Sequence, residues 1–187
     1  EMQRSLVGSE MCIRDSEKDV PFYAENSAAL IKYGRFFDGA RIGIALYGVN
    51  PVPGDKTPLL PVMTFRAAVI AINTVKKGDF IGYSRGYRAK KDMRVAIIST
   101  GYADGLPRAL SNKGMIFCNG QFLKIVGKVS MDSVAVDAGD ADVKIMDEVV
   151  VFGDEITVTD VANRADTLPY EILTGVSERV KRVYKNP

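Results

Sequence analysis

The feature that most constrains the fold is a series of short β-prone runs that fills the chain after residue 61. Turn signals such as Lys77-Gly78-Asp79 and Gly153-Asp154 separate the runs, and Asn119-Gly120 between two of them predicts a tight hairpin. Many short strands of this kind predict an antiparallel barrel or a sandwich. The runs are Val62 to Val75, Arg94 to Thr100, Met115 to Cys118, Phe122 to Val126, Ser133 to Val136 and Glu148 to Phe152.

Residues 17–50 have a different pattern, which predicts strand, helix and strand. Val20 to Ala24 is a short extended run, and Asn26-Ser27 offers an N-cap for a helix from Ala28 to Tyr33. Ala40 to Tyr47 is almost continuously apolar, as expected of a parallel strand buried on both faces. Because one βαβ unit cannot cover its own apolar faces, this part is interpreted as the tail of a larger α/β domain.

A proline-rich linker at residues 51–60 separates the two patterns. Near the end of the chain two short helices are predicted, one after Thr159-Asp160 and one after Thr167, with Pro169 in its first turn. The predicted fold class is therefore α+β. It consists of the last βαβ portion of an α/β barrel, followed by a mostly antiparallel, β-barrel-like domain.

The first residues, 1–16, do not resemble the rest of the chain. They are not a signal peptide, because no apolar stretch follows a basic start. Their sequence, EMQRSLVGSEMCIRDS, resembles the translated adapter read-through found at the ends of some assembled metagenomic sequences. We therefore interpret this segment as non-native and expect the gene to begin upstream of it.

Composition excludes several classes of function. The chain has no histidine, so proton transfer near neutral pH must use Tyr, Lys, Cys or a carboxylate, and a zinc site built on His is excluded. The two cysteines, Cys12 and Cys118, form no CxxC pair, and a reduced, cytoplasmic setting fits them. A net charge of +2 without a basic stripe argues against nucleic acid. No apolar run reaches the ~18 residues of a membrane span.

Ser27, Arg41 and Gly43 form a candidate phosphate site. In a (β/α)8 barrel the last two βα loops often hold a phosphate, and a Ser hydroxyl and a Gly N–H are suitable donors. The alternative is that Ser27 only caps a helix and Gly43 only eases packing. Arg41 stands in an otherwise apolar strand, where a buried arginine needs a partner.

Three further segments are candidates for function: GYSRGY at 82–87, STGYADGLPR at 99–108 and GKVSMD at 127–132. Glycine-rich loops at strand ends carry function more often than strands do. Each segment also has a purely structural interpretation. The first is then a turn with half-buried aromatics, the second a surface loop, and the third a core methionine beside an aspartate, Asp132, that caps or binds a cation.

Taken together, the runs RIGIALYG, GYADGLPR, GKVSMD and LPYEILTGVSERVKRVY resemble the alanine racemases, over about residues 20–187. The resemblance implies an N-terminal (β/α)8 barrel that binds pyridoxal 5′-phosphate (PLP) and a mostly β C-terminal domain. Residues 17–54 would be the end of that barrel and residues 55–187 the β domain. The resemblance also implies a head-to-tail homodimer, in which the β domain of one subunit completes the active site of the other.

The same resemblance implies roles for individual residues. Tyr83 matches the catalytic tyrosine that exchanges the Cα proton on one face of the cofactor-bound amino acid, while a PLP-anchoring lysine works on the other face. Arg41 matches the arginine that faces the PLP pyridine nitrogen and, because it keeps its own proton, leaves that nitrogen unprotonated. Met131 matches the residue whose backbone N–H meets the substrate carboxylate, and Tyr102 a tyrosine at the substrate entrance. The residues around the PLP phosphate are Ser27, Gly43, Ile44 and Tyr170.

The sequence departs from the family pattern in two ways. The PLP lysine, its flanking tyrosine and an arginine that helps to hold the substrate carboxylate belong to the family's N-terminal half. No lysine here is therefore assigned as catalytic, and the chain alone is predicted to be inactive. Tyr23 stands where relatives often carry His, which affects only local packing near Ser27.

The implied activity is the interconversion of L- and D-alanine, which supplies D-alanine for the cell wall. Three alternatives stay open. A serine or alanine racemase of the vancomycin-resistance type fuses a similar domain to a membrane segment, although Tyr170 favours alanine. PLP decarboxylases share the architecture but need cysteine and acidic-substrate motifs that are not evident here. A non-catalytic β-barrel interaction module would explain the β runs, but not Arg41 or the phosphate-suited Ser27 and Gly43.

Overall fold

The computed structural model describes residues 21–185, so the interpretation of residues 1–16 and the predicted start of a strand at Val20 lie outside the described part. The chain divides into two compact units. Within the described residues, the first comprises 21–43 together with Asn50–Thr57, and the second comprises Ile44–Val49 and residues 58–185.

The first unit contains the predicted order of strand, helix and strand. Strand β1 (Tyr23–Asn26) leads directly into helix α1 (Ser27–Tyr33), and β2 (Gly39–Arg41) returns to pair with β1 in parallel. The side chain of Asn26 accepts a hydrogen bond from the N–H of Ala29 at 2.9 Å. Because Asn26 supplies the side-chain cap, the interpretation of Ser27 as only a cap is wrong.

The predicted strand from Ala40 to Tyr47 is wrong beyond Arg41. Asn26 is the last residue of β1 and pairs with Arg41, so β2 has no partner strand after that position. The chain instead forms a 3-10 helix at Ile44–Tyr47, in which Ile44 is buried while Leu46 and Tyr47 are exposed. The apolar run 40–47 therefore predicted a strand that is buried throughout, whereas in the structure only Ile44, in the middle of the run, is buried.

The second unit is built on a closed antiparallel barrel, which decides between the barrel and the sandwich predicted from the sequence. The strands of this unit are β3 (Phe65–Val75), β4 (Phe80–Ile81), β5 (Tyr87–Arg88), β6 (Met93–Ile98), β7 (Met115–Cys118), β8 (Gln121–Ile125), β9 (Val134–Asp137) and β10 (Glu148–Phe152). Six of them follow one another around the barrel in the order β10-β3-β6-β9-β8-β7. A separate pair, β4 with β5, was not predicted, because each strand has only two residues.

Inward-facing aliphatic side chains fill the barrel. Along β7 and β9 burial alternates from one residue to the next, as it does when one face of a strand packs on a core and the other does not. The fully buried members include Val69, Ile98, Ile116, Ile125, Val136 and Val149. The predicted hairpin at Asn119-Gly120 is confirmed: it joins β7 to β8, and both turn residues have positive φ, of 46° and 79°.

Two helices follow the last barrel strand, as predicted. Helix α2 (Val158–Ala165) is capped by Thr157, not by Thr159-Asp160, and Asp160 completes a reciprocal capping box with Thr157. Helix α3 (Pro169–Gly175) has Pro169 in its first turn, as expected. The apolar face of α2 packs on the barrel core. No helix within residues 21–185 is long and apolar enough to cross a bilayer.

Candidate active site

An open pocket of about 670 Å³ lies on the second unit. Three loops line it, at 82–86, 101–108 and 127–132, and we call these three loops the pocket rim. They contain the three glycine-rich segments singled out from the sequence, which the fold brings together. The lining residues are Tyr83, Ser84, Tyr102, Arg108, Lys128, Val129, Ser130 and Met131.

Tyr83 stands at the start of a tight loop between β4 and β5. The loop makes a single 3-10 turn at Tyr83–Arg85, and Ser84 and Arg85 both have left-handed backbone conformations, with φ of 55° and 54°. Non-glycine residues seldom adopt this conformation, and where they do they cluster at functional sites. The Tyr83 side chain is 72% exposed and projects from the loop into the pocket.

Two glycines let the Tyr83 loop lie directly against the backbone of Lys128. A Cβ at Gly82 would come within 3.2 Å of the Lys128 nitrogen, and a Cβ at Gly86 within 3.1 Å of the same atom. Real Cβ atoms rarely come this close to backbone, so a side chain at either position would push the two segments apart. The glycines of the GYSRGY motif therefore set how far Tyr83 lies from the 127–132 loop.

Tyr102 and Met131 are held together by their own backbones. The N–H of Tyr102 donates to the carbonyl of Ser130, and the N–H of Ala103 donates to the carbonyl of Met131, each at 3.0 Å. Both side chains are about half exposed and line the pocket. The structure thus places the predicted catalytic tyrosine and both predicted substrate residues around one cavity.

Arg179, from the segment after α3, ties two of the rim loops together. Its guanidinium donates to Asp104 and to Asp132, each at 2.7 Å. Asp104 also accepts the N–H of Gly101 at 2.8 Å. The pKa of Arg179 is raised above its ordinary value, mainly by the hydrogen bond to Asp104 and next by the hydrogen bond to Asp132. Asp132 therefore pairs with an arginine 47 residues further along the chain, a partner that no local sequence pattern indicates.

The pocket wall is cationic. Arg108 and Lys128 line it, and among residues 21–185 no carboxylate lines it. Arg108 is exposed, whereas Lys128 is half-buried. The two positive charges favour an anionic ligand such as a carboxylate. Neither residue was singled out from the sequence, because a lone Arg or Lys in a loop carries no signal of its own.

The predicted phosphate residues of the first unit show a partial cradle. The N–H of Gly43 donates to the hydroxyl of Ser27 at 3.0 Å, and Ser27 is 5% exposed. A Cβ built at Gly43 would meet no atom within 4 Å, so the space beside it is open. A buried hydroxyl beside open space fits a phosphate group, whereas the Gly43 N–H is bonded to Ser27 in this structure. Arg41 is exposed at the end of β2, so the expectation that it is a buried arginine is wrong.

The other two predicted phosphate residues belong to the second unit. Ile44 is 4% exposed and packs in the barrel core, at the start of its 3-10 helix. Tyr170 lies in the first turn of α3 and is 52% exposed. Neither residue lines the pocket around Tyr83. Their assignment to a phosphate site therefore stays a prediction.

The fold of this chain has counterparts among known proteins. A family model for "Alanine racemase, C-terminal domain" matches residues 62–184. The alanine racemase of Halothermothrix orenii is 39% identical over 177 residues, which cover 90% of this chain and 47% of that protein. The chain therefore belongs to the alanine racemase family.

Solved structures agree with this assignment. The alanine racemase of Bartonella henselae with covalently bound pyridoxal phosphate superposes with a TM-score of 0.87 at 36% identity, over 98% of this chain and 52% of that one. The alanine racemase of Streptomyces coelicolor gives a TM-score of 0.90 at 32% identity, over 100% and 51%. The chain thus spans about half the length of the relatives that it matches.

Proposed function

We propose that this chain forms the Tyr83-bearing half of a PLP-dependent alanine racemase that interconverts L- and D-alanine. The observation that carries the proposal is the meeting of Tyr83, Tyr102 and Met131 around one cation-lined pocket. A substrate of this pocket would combine a carboxylate, which the positive wall attracts, with a Cα proton within reach of a tyrosine. Alanine has both groups.

Each pocket residue has a distinct part in the proposal. Tyr83 accepts the Cα proton on one face of the substrate and returns a proton on that face in the reverse direction. The N–H of Met131 donates to no acceptor among residues 21–185, which leaves it available to a substrate carboxylate. Arg108 and Lys128 attract that carboxylate, and Tyr102 stands at the entrance.

Ser27 and Gly43 would hold the phosphate of PLP, and Arg41 would face its ring nitrogen. When bound, PLP withdraws electrons from the substrate Cα and so makes the Cα proton easier to remove. A lysine on the opposite face completes the proposal, and no lysine of this chain is assigned to that role. Without that lysine, the 187-residue chain is expected to show no racemisation.

The proposed assembly is a cytoplasmic homodimer in which the β domain of each subunit completes the active site of its partner. D-alanine made there would supply cell-wall synthesis. Support comes from the relatives, which share the fold over nearly all of this chain and are named alanine racemases. The proposed division remains residues 17–54 as the end of the PLP barrel and residues 55–187 as the β domain.

The test begins with the source DNA, whose upstream reading frame is expected to encode a barrel start with a PLP lysine. Racemisation is then measured in the full-length enzyme and in its Tyr83→Phe variant. Removing the phenol hydroxyl is expected to lower kcat by about 10²- to 10⁴-fold, the usual contribution of a general acid or base. The matched control is Tyr184→Phe, because Tyr184 is 90% exposed and lies outside the pocket.

Several outcomes would contradict the proposal. Retained activity in Tyr83→Phe would remove the tyrosine from the mechanism, and racemisation by the 187-residue chain alone would disprove the need for a second half. A full-length enzyme that prefers L-serine, or an upstream frame with membrane helices, would favour the resistance-type racemase. A full-length protein that does not bind PLP would favour the interaction module.

A further inference from the structure

Asn112 connects two of the rim loops through both ends of its side-chain amide. Its Nδ2 donates to the carbonyl of Gly86 at 3.0 Å, and its Oδ1 accepts the N–H of Gly127 at 2.7 Å. Gly86 closes the Tyr83 loop, and Gly127 opens the loop that carries Met131. Asn112 lies on neither of these loops and does not line the pocket.

We infer that Asn112 is a positioning residue for Tyr83, an inference that rests on the proposed function. The strands on either side of the Tyr83 loop, β4 and β5, pair over only two residues each, and Ile81 and Tyr87 at the two ends of the loop belong to a small core cluster. The Asn112 amide is hydrogen-bonded to Gly86 at the end of that loop and to Gly127, so it links the two backbones at a defined separation. It therefore holds the loop at one distance from the backbone that presents Met131.

The neighbouring residue, Ser111, supports the same arrangement. Its hydroxyl accepts the N–H of Val129 at 3.0 Å and donates to the carbonyl of Arg108 at 2.6 Å. The Ser111-Asn112 pair thus contacts all three rim loops by hydrogen bonds to backbone atoms. Such bonds fix the loop geometry without depending on the side chains that face the substrate.

The chemistry at position 112 favours asparagine. Its backbone is left-handed, with φ of 60°, a conformation that Asn and Asp tolerate better than most residues. The side-chain amide offers its donor, Nδ2, to Gly86 and a separate acceptor, Oδ1, to Gly127, so the two bonds use different atoms of one planar group. Asn112→Asp keeps the backbone preference and the acceptor but loses the donor, so it releases the Tyr83 loop selectively.

The first test uses trypsin and does not depend on catalysis. Arg85 is exposed within the Tyr83 loop, and cleavage after it is identified by fragment mass. In the 187-residue chain, Asn112→Asp is expected to speed this cleavage by about three- to tenfold, the factor that corresponds to losing one hydrogen bond. If this variant does not fold, Asn112→Gly replaces it, because glycine keeps the left-handed backbone without strain.

The matched control is Asn119→Asp. Asn119 also has positive φ and donates through its amide, to the carbonyl of Asp142 at 2.9 Å and to the carboxylate of Asp147 at 2.8 Å, but it lies in the β7–β8 hairpin. This variant is expected to leave the cleavage after Arg85 unchanged. Equal acceleration in the two variants, or none in Asn112→Asp, would overturn the inference, since the Tyr83 loop would then not depend on Asn112.

The second test uses the full-length enzyme with Cα-deuterated L- and D-alanine. Tyr83 takes the Cα proton from one enantiomer only, so a displaced Tyr83 is expected to raise the deuterium isotope effect for that enantiomer alone. A purely structural defect lowers both rates and leaves both isotope effects unchanged, and that result would overturn the inference. If the unmodified enzyme does not racemise alanine, the proposed function fails, and the cleavage result alone decides whether Asn112 holds the loop.

Discussion

The six-stranded barrel and the pocket rim belong to the same unit but are held by different forces. Each barrel strand pairs with a neighbour on both sides and places aliphatic side chains in a common core. The rim loops have no such ladder. They depend on backbone approaches at glycines, on the amide of Asn112 and on the guanidinium of Arg179. The barrel is therefore stabilised by many interchangeable contacts, and the rim by a few specific ones.

This difference predicts which substitutions affect stability and which affect geometry. A barrel residue can change to another aliphatic of similar volume at small cost, because packing depends on volume and shape. A residue that makes one of the specific rim contacts, such as Gly86, Asn112 or Arg179, cannot, because its atoms take part in one defined contact. The predictions below test this contrast, from the largest expected effect to the smallest.

Ile116→Ala is expected to lower the free energy of unfolding by about 2–5 kcal/mol, since Ile116 is fully buried in the barrel core and the truncation leaves a cavity. Urea unfolding of the 187-residue chain measures the loss. The control is Ile145→Ala, where the side chain is 58% exposed and the change is expected to stay within about 0.5 kcal/mol. Similar losses in the two variants would show that the barrel core does not dominate stability.

Gly101→Ala is expected to lower the free energy of unfolding by about 1–3 kcal/mol and to separate two rim loops. Its Cβ would lie 2.3 Å from the carbonyl oxygen of Met131, which is too close for any adjustment short of a backbone shift. Gly175→Ala is the matched control, because a Cβ there meets nothing within 4 Å. Urea unfolding compares the two variants, and equal stability would mean that the rim tolerates backbone displacement.

The smallest effect is expected at the exposed ion pair between Lys76 and Asp92, where Nζ and Oδ2 lie 2.8 Å apart. The pKa of Asp92 is lowered, mainly by the hydrogen bond from the Lys76 side chain and next by the hydrogen bond from the backbone N–H of Lys77. A lowered carboxyl pKa contributes stability that is present above the unfolded pKa, near 4 for an aspartate, and is lost as pH falls through the folded value.

Asp92→Asn should therefore lower the urea midpoint slightly at pH 7 and flatten its decline between about pH 5 and pH 2. The control is Asp79→Asn, which removes an exposed carboxylate from the turn that follows Lys76. If Asp92→Asn and the unmodified chain lose stability in parallel as the pH falls, the ion pair adds nothing to acid sensitivity.

The sequence predicted the barrel better than the rim, for a physical reason. Short β-prone runs and the turn residues between them are local features of the sequence. Runs such as Met115–Cys118 and Glu148–Phe152 were therefore predicted with the bounds that the structure shows. The strand from Ala40 was predicted too long, because the length of a strand depends on where its partner ends, and that partner is set by the fold.

The site was predicted only in part. Tyr83, Tyr102 and Met131 were assigned through a family resemblance, and nothing in their spacing alone shows that they share a pocket. Arg179 and Asn112 were missed, since each acts through contacts to distant positions. Arg179 meets Asp104 across 75 residues of sequence, and no single-sequence pattern marks such a pair.

Closure of the barrel has a consequence for how the chain is made. Strand β3 pairs with β10, and Arg66 on the first meets Glu148 on the second across 82 residues of sequence. At roughly 5–20 residues per second on the ribosome, β3 waits about 4–16 s for this partner to be synthesised. During that interval one edge of β3, an eleven-residue strand, lacks the partner strand that covers it in the folded barrel. The nascent protein is therefore most exposed to mispairing before Phe152 has been added.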